Sequence, residues 1–158
     1  MGDTYFTVIP ENPLLVPQKN AQKLAEEYIR ALANPEEIEV VVTSRPNIII
    51  GGEIDHILVC PKCGNREQTE AFFQNTFEYD EDGGMELKAK SPCCEQVINI
   101  ADIQFTFSED DGTDIYGTGG FACFQLDCRI PQPNIGKIEL KEISKILGCD
   151  TRIIIRFI

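Results

Sequence analysis

The chain has 158 residues, of which 42% are hydrophobic, and this length suffices for one core or for one core and a small module. Its net charge of −12 opposes binding to DNA or RNA, because phosphate contacts supply most nonspecific nucleic-acid affinity. No run of about 18 apolar residues predicts a membrane span, and the first residues lack the basic and apolar regions of a secretory signal. We therefore expect a cytoplasmic protein that does not engage membranes.

The first third of the chain predicts a strand, a helix and a second strand. Residues 5–9 alternate with Phe6 and Val8 on one side, which indicates a strand. Residues 18–33 carry apolar side chains at helical spacing and should end before Pro35, because a residue that precedes proline avoids the helical region. The expected buried stripe comprises Ala21, Leu24, Ala25, Tyr28, Ile29 and Leu32. Residues 38–44 follow as a strand.

The C-terminal part repeats this plan. Residues 121–130 alternate as a strand, residues 140–147 have helical spacing, and residues 151–158 form a last strand. The apolar face of the first of these strands comprises Ala122, Phe124, Leu126, Cys128 and Ile130. In the last strand we expect Ile153, Ile155 and Phe157 to be buried, and Arg152, Ile154 and Arg156 to point the other way.

Two strand–helix–strand units predict an α+β fold, the ferredoxin-like split βαβ arrangement with an antiparallel sheet and two helices on one face. Residues 1–51 and 120–158 would form this discontinuous domain, and residues 52–119 an inserted zinc-ribbon-like module. Glycine pairs at 51–52 and 119–120 bracket the insertion, where backbone freedom would let the chain leave and re-enter the sheet. A two-domain arrangement, with residues 52–119 packed beside the sheet, is the alternative.

The second face of the predicted sheet would carry Tyr5 and Phe121 among charged and polar side chains. Glu39, Gln125 and Asp127 share this face with Arg129, Arg152 and Arg156. We expect the zinc-ribbon-like module or a second copy of the chain to cover it, so a homodimer is one possible assembly.

Two cysteine-bearing turns predict a metal site. The first is Cys-Pro-Lys-Cys-Gly at residues 60–64 and the second is Ser-Pro-Cys-Cys at residues 91–94. A Cys-x-x-Cys turn closed by glycine suits a tetrahedral zinc ion, and an odd count of seven cysteines without an export signal favours a metal over disulfides. The predicted metal ligands are Cys60, Cys63, Cys93 and Cys94.

The adjacency of Cys93 and Cys94 departs from the usual spacing, because neighbouring side chains on an extended backbone point in opposite directions. Both can reach one ion only in a tight turn, which Pro92 favours. If one of them is not a ligand, Cys123 or a carboxylate would replace it, whereas His56 lies too far along its strand.

Four thiolates close the coordination shell, so we expect a structural zinc and no catalytic residue, although iron can occupy the same shell. A redox Cys-x-x-Cys would need a helix to begin at the pair, and no helical pattern begins there. The aromatic residues Phe72, Phe73 and Phe77 are expected to form the core of the module.

Several runs together resemble an uncharacterised family of bacterial cytosolic proteins with a CPxCG…PCC zinc-ribbon-like insertion. These runs are residues 5–10 (YFTVIP), 60–64 (CPKCG), 92–94 (PCC), 120–124 (GFACF) and 146–149 (ILGC). The resemblance implies a bacterial cytosolic setting and both vicinal cysteines as ligands. It implies no activity.

The leading functional hypothesis is a non-enzymatic zinc-binding protein of an immunity-like or adaptor-like class. It would bind a protein partner, most simply a basic one, through its acidic surface. The alternative is an enzyme that acts on a small anionic substrate in a cleft between sheet and insertion, where Arg129, Arg152 and Arg156 could hold the anion. A weaker alternative is a nucleic-acid-binding zinc ribbon, which the net charge opposes.

Overall fold

The computed structural model describes residues 4–50, 57–68, 85–108, 114–116, 119–130 and 135–157. The elements in chain order are β1 (Thr4–Pro10), α1 (Lys19–Ala33), β2 (Glu37–Ile50), β3 (Ile57–Val59), β4 (Arg66–Gln68), β5 (Lys88–Lys90), β6 (Val97–Asn99), a 3-10 turn (Ile100–Asp102), β7 (Gln104–Ser108), β8 (Asp114–Tyr116), β9 (Gly119–Arg129), α2 (Lys137–Leu147) and β10 (Thr151–Phe157). Within these residues, the predicted mixed α+β composition with antiparallel sheets and two helices is confirmed.

The largest sheet has the strand order β10-β1-β9-β2, and each neighbouring pair is antiparallel. Both helices lie on one face of it, because their apolar stripes share a core with the strands. This core includes Phe6, Val8, Ala25, Ile29, Phe124, Leu126, Cys128, Ile143 and Leu147.

The buried stripe of α1 is narrower than the spacing predicts. Ala25 and Ile29 are fully buried, but Leu24 and Leu32 are 49% and 40% exposed. The prediction that Leu24 and Leu32 face the core is therefore wrong, because these side chains lie at the border of the stripe, outside the line that faces the sheet and α2.

The ends of β2 and β9 fold back over the second face of the sheet. Ile49 of β2 and Ala122 of β9 pack there with Ile9 and Ile154, and Arg156 Nε donates a hydrogen bond of 3.3 Å to the carbonyl of Ile50. This part of the face is thus covered by the chain's own strands β2 and β9.

Two burial predictions change. Ala122 packs on the second face rather than with Phe124 and Leu126, whereas Ile154 points to that face as predicted and is buried there. Ile155, in contrast, is 45% exposed on the edge strand β10, so its predicted burial is wrong.

The pairing of β2 with β9 shifts register between residues 42 and 47. Pro46 lies in this interval and has no N–H for the ladder, which permits the bend.

The central region forms a second sheet of order β4-β3-β7-β8 and a small β5-β6 hairpin. Its core contains residues of these strands, but also Phe121 of β9 and, at its margin, Ile48 and Ile50 of β2. The rings of Phe105 and Phe121 lie 5.4 Å apart at an angle of 53°. The core therefore includes side chains from both sides of the domain boundaries predicted above. Phe72, Phe73, Phe77 and His56 lie outside the described residues.

Gly119 and Gly120 are the first two residues of β9, whereas the other predicted pair, Gly51 and Gly52, lies outside the described residues. Among the described glycines, a positive φ is found at Gly64 and Gly148, not at Gly119 or Gly120. A Cβ atom on Gly119 would come within 2.7 Å of Phe105 Cδ1, and one on Gly120 would clash with the guanidinium of Arg152. Close packing therefore favours glycine at both positions.

Within the part of the chain that the structure describes, no helix is long and apolar enough to cross a membrane.

Candidate metal centre

The first cysteine-bearing turn joins β3 to β4. The N–H of Cys60 donates to the carbonyl of Asn65 at 2.9 Å, and the N–H of Gly64 donates to the carbonyl of Cys60 at 3.0 Å. Gly64 has a φ of +74°, a conformation that glycine adopts without steric cost. This pattern holds Cys60 and Cys63 in one tight turn.

The second turn joins β5 to β6 and has the same hydrogen bonds. The N–H of Ser91 donates to the carbonyl of Gln96 at 2.8 Å, and the N–H of Glu95 donates to the carbonyl of Ser91 at 2.9 Å. Glu95 has a φ of +59°, at the position that Gly64 holds in the first turn. The two turns are therefore equivalent in backbone structure, with Ser91 at the position of Cys60.

The structure brings together all four predicted ligand residues. The Sγ atoms of Cys60, Cys63, Cys93 and Cys94 lie within 4.8 Å of one another. Cys60 Sγ is 3.9 Å from Cys94 Sγ, and Cys63 Sγ is 3.2 Å from Cys93 Sγ. Zn–S bonds of ~2.3 Å in a tetrahedron place sulfur atoms roughly 3.8 Å apart. The cluster can therefore hold a metal ion.

Adjacent cysteines reach the same cluster because they belong to the tight second turn and not to an extended strand. Cys93 follows Pro92 in the turn, and Cys94 occupies the position equivalent to Cys63. The other cysteines that the structure describes lie elsewhere. Cys123 is buried in β9, where its N–H donates to the carbonyl of Pro13, so it does not substitute for a ligand here.

Ser91 belongs to the site and was not among the predicted residues. Its side chain is 1% exposed, and its Oγ lies 3.3 Å from Cys60 Sγ and 2.9 Å from Cys93 Sγ. The signal was present in the sequence: Ser-Pro-Cys-Cys-Glu-Gln at 91–96 aligns with Cys-Pro-Lys-Cys-Gly-Asn at 60–65. A polar side chain at the first turn position is then expected to point at the cluster.

The pKa values of two thiols move in opposite directions when no metal is bound. Burial alone would raise the pKa of Cys60, but hydrogen bonds from Ser91 and from the backbone N–H groups of Cys63 and Lys62, together with Cys93, lower it to about 6. Burial raises the pKa of Cys93 to about 12; the hydrogen bond with Ser91 acts in the opposite direction, and the sulfur atoms of Cys63 and Cys60 act in the same direction as burial. Negative charge thus collects first on Cys60.

The arrangement favours a closed coordination shell over a reactive thiol. Four sulfur atoms fill a tetrahedron and leave no position for a water molecule or a substrate. After the first pair the chain continues into β4 and not into a helix, so Cys60 does not lie at the N-terminus of a helix as a redox Cys-x-x-Cys requires.

The chain matches no protein-family model, and neither a curated protein nor a solved structure is significantly similar to it. The fold and the site define an α+β protein with a four-cysteine cluster that can hold a metal ion.

Proposed function

We propose that the chain binds one structural zinc ion through Cys60, Cys63, Cys93 and Cys94. The observation that carries this proposal is the approach of the four Sγ atoms to within 4.8 Å of one another. When bound, zinc would supply a fixed cross-link between the two turns and no chemistry beyond it.

A structural role suits the small elements that surround the cluster. Strands β3, β4, β5 and β6 have three residues each, and such short strands gain little stability from pairing alone. Cys60 belongs to the core of the central region, and Cys93 and Cys94 pack against it. An ion held at this point would stabilise the core directly, as structural zinc sites do.

The metal proposal is tested on the purified full chain by elemental analysis and thermal unfolding. We expect about one zinc per chain, and loss of zinc and of thermal stability in Cys60→Ser. Cys149→Ser is the matched control, because Cys149 is a half-buried thiol outside the cluster. A visible thiolate–iron spectrum would identify iron instead. A metal-free wild type that is no more stable than Cys60→Ser would refute the proposal.

The strand order β10-β1-β9-β2, with both helices on one face, supports the proposal of a ferredoxin-like split βαβ arrangement. The two equivalent turns support a zinc-ribbon-like insertion between β2 and β9. Membership of the bacterial cytosolic family, and hence a cytoplasmic setting, also remains a proposal.

For this protein we further propose a non-enzymatic role in binding a basic protein partner, in the manner of an immunity or adaptor protein. The support is electrostatic: the net charge is −12, and Glu36, Glu37 and Glu39 are exposed at the start of β2, an edge strand. Arg129 is 3.5 Å from Glu36 and 4.0 Å from Glu37, so its single charge offsets only part of this group.

The partner proposal is tested by affinity capture from a bacterial lysate. The baits are the wild type and two variants of equal net charge. One carries Glu37→Lys and Glu39→Lys, and the other carries Glu142→Lys and Asp150→Lys at exposed positions outside β2. Basic proteins retained by the wild type should be lost from the first variant and kept by the second. Equal retention by both variants would show that the start of β2 is not the binding surface.

A second candidate function is an enzyme that acts on a small anionic substrate between sheet and insertion. One observation favours it: a cleft of about 750 Å³ lies there, with Arg152 in its wall. Arg156 was expected beside Arg152 but instead contacts Asp127 at 3.8 Å, and Arg129 pairs with Glu36. The pure protein is assayed with phosphate esters, carboxylic esters and amides. If it turns over none of them, this candidate is disfavoured.

A further inference from the structure

The cleft between the two parts of the protein is formed by four separate segments. Glu11 follows β1, Asp102 and Gln104 belong to the 3-10 turn and β7, and Arg152 is on β10, while Phe105 and Gly119 complete the wall. Its volume of about 750 Å³ falls within the range of small-molecule sites. It lies apart from the cysteine cluster, which does not line it.

Arg152 is held in place at the wall of this cleft. Its Nη2 donates a hydrogen bond of 2.7 Å to the carbonyl of Gly119, and the absence of a Cβ on Gly120 leaves room for the guanidinium. Burial lowers the pKa of Arg152, and the charge of Glu11 acts in the opposite direction. A guanidinium has five N–H donors, so a group fixed by one bond can still offer a two-point contact to a carboxylate.

The charges that line the cleft have both signs. Glu11 and Asp102 are exposed carboxylates, and Arg152 is the cation among the described lining residues. Two negative groups and one positive group disfavour a ligand that is only anionic, and Arg152 disfavours one that is only cationic. Ile103 and Phe105 line the same wall but are only 6% and 1% exposed, so the charged side chains supply most of what a ligand can contact.

We propose that this cleft binds a small zwitterion of the amino-acid class. The ligand's carboxylate contacts Arg152, and its ammonium group lies toward Glu11 and Asp102. The proposal concerns binding of the ligand and assigns no reaction to the cleft. The inference does not depend on the metal proposal.

The test uses the full chain as purified and each of the twenty protein amino acids at about 1 mM, with saturation-transfer NMR as the first readout. Calorimetry then gives the affinity of each hit. For a hit, the acid that lacks the amino group and the amine that lacks the carboxyl group are measured in parallel. We expect the amino acid to bind about ten-fold or more tightly than either analogue, because each removes one charged contact.

Two variants locate the site. Asp102→Asn alters an exposed side chain, so it should weaken binding of the amino acid and strengthen binding of the deaminated acid. Arg152→Met should abolish binding of both ligands. Glu142→Gln, on α2 at the helix face, should change neither affinity. The proposal is overturned if no amino acid binds, if inorganic phosphate or the deaminated acid binds as tightly as the amino acid, or if Asp102→Asn leaves both affinities unchanged.

Discussion

Ser91 occupies in the second cysteine-bearing turn the position that Cys60 occupies in the first. Both residues donate their N–H to the carbonyl five residues later, and both accept from the N–H four residues later. Their side chains meet, with Ser91 Oγ 3.3 Å from Cys60 Sγ. The second turn thus keeps the backbone of the first but supplies its extra sulfur from Cys93, two residues further along.

The equivalence of the turns predicts that a sulfur atom at position 91 can replace the sulfur at position 93. Cys93→Ser alone should lose most bound metal, whereas Ser91→Cys combined with Cys93→Ser should restore about one ion per chain. Elemental analysis gives the stoichiometry, and the cobalt-substituted protein reports the number of thiolate ligands by its charge-transfer absorption.

The matched control for this rescue places the new cysteine elsewhere. Ser44→Cys with Cys93→Ser adds a thiol at an exposed position outside the cluster and should stay metal-deficient. If this control binds as much metal as the Ser91→Cys rescue, or if the rescue fails in a folded protein, position 91 is not a ligand position.

The hydroxyl of Ser91 should also support the four-cysteine site as it stands. Ser91→Ala removes a hydrogen-bond partner of Cys60 and Cys93, so we expect metal affinity to fall about 10- to 100-fold, as is usual when a partner of a ligand is lost. Competition with a chromophoric chelator measures the affinity. Ser44→Ala should keep the affinity of the wild type; an unchanged affinity in Ser91→Ala would exclude the supporting role.

The sequence was informative where local spacing decides the structure. Helical spacing predicted α1 and α2, and cysteine spacing predicted the two turns that carry Cys60 and Cys63, and Cys93 and Cys94. Each helix and each turn depends on residues that are close along the chain. The path of the chain across the second face was not predicted, since it results from contacts between β2, β9, β1 and β10 that are distant in sequence. The burial of Ile154 and the exposure of Ile155 follow from the same long-range contacts.

The adjacent glycines of β9 predict two different stability losses. In Gly119→Ala the new methyl group would meet the buried ring of Phe105 and the Cγ2 of Ile50, which lies 2.9 Å away, so we expect a loss of about 1–3 kcal/mol. In Gly120→Ala it would meet mainly the end of a flexible arginine side chain, so the expected loss is about 1 kcal/mol, the value of one hydrogen bond.

Urea unfolding of both variants at neutral pH measures these losses. The Gly120→Ala loss should shrink in an Arg152→Ala background, because the clash partner is then absent, whereas the Gly119→Ala loss should not. An equal or larger loss in Gly120→Ala than in Gly119→Ala would contradict the packing described for these positions.

The buried thiol of Cys128 predicts a fall in stability at alkaline pH. Burial in the core between sheet and helices, followed by the negative charge of Asp127, raises its pKa from 9.0 to about 12. Between pH 9 and 12 the native state therefore holds up to one proton more than the unfolded state, and the free energy of unfolding falls as pH rises. Cys128→Ala lacks this term, so its deficit relative to the wild type should narrow by about 1 kcal/mol between pH 9 and 10, because the unfolded thiol is only half ionised at pH 9. Urea unfolding at both pH values measures the deficit. In the control Ser44→Ala, the difference in the free energy of unfolding from the wild type should be the same at both pH values. A deficit of Cys128→Ala that is the same at both pH values would show that the Cys128 thiol ionises in the native state as readily as in the unfolded chain.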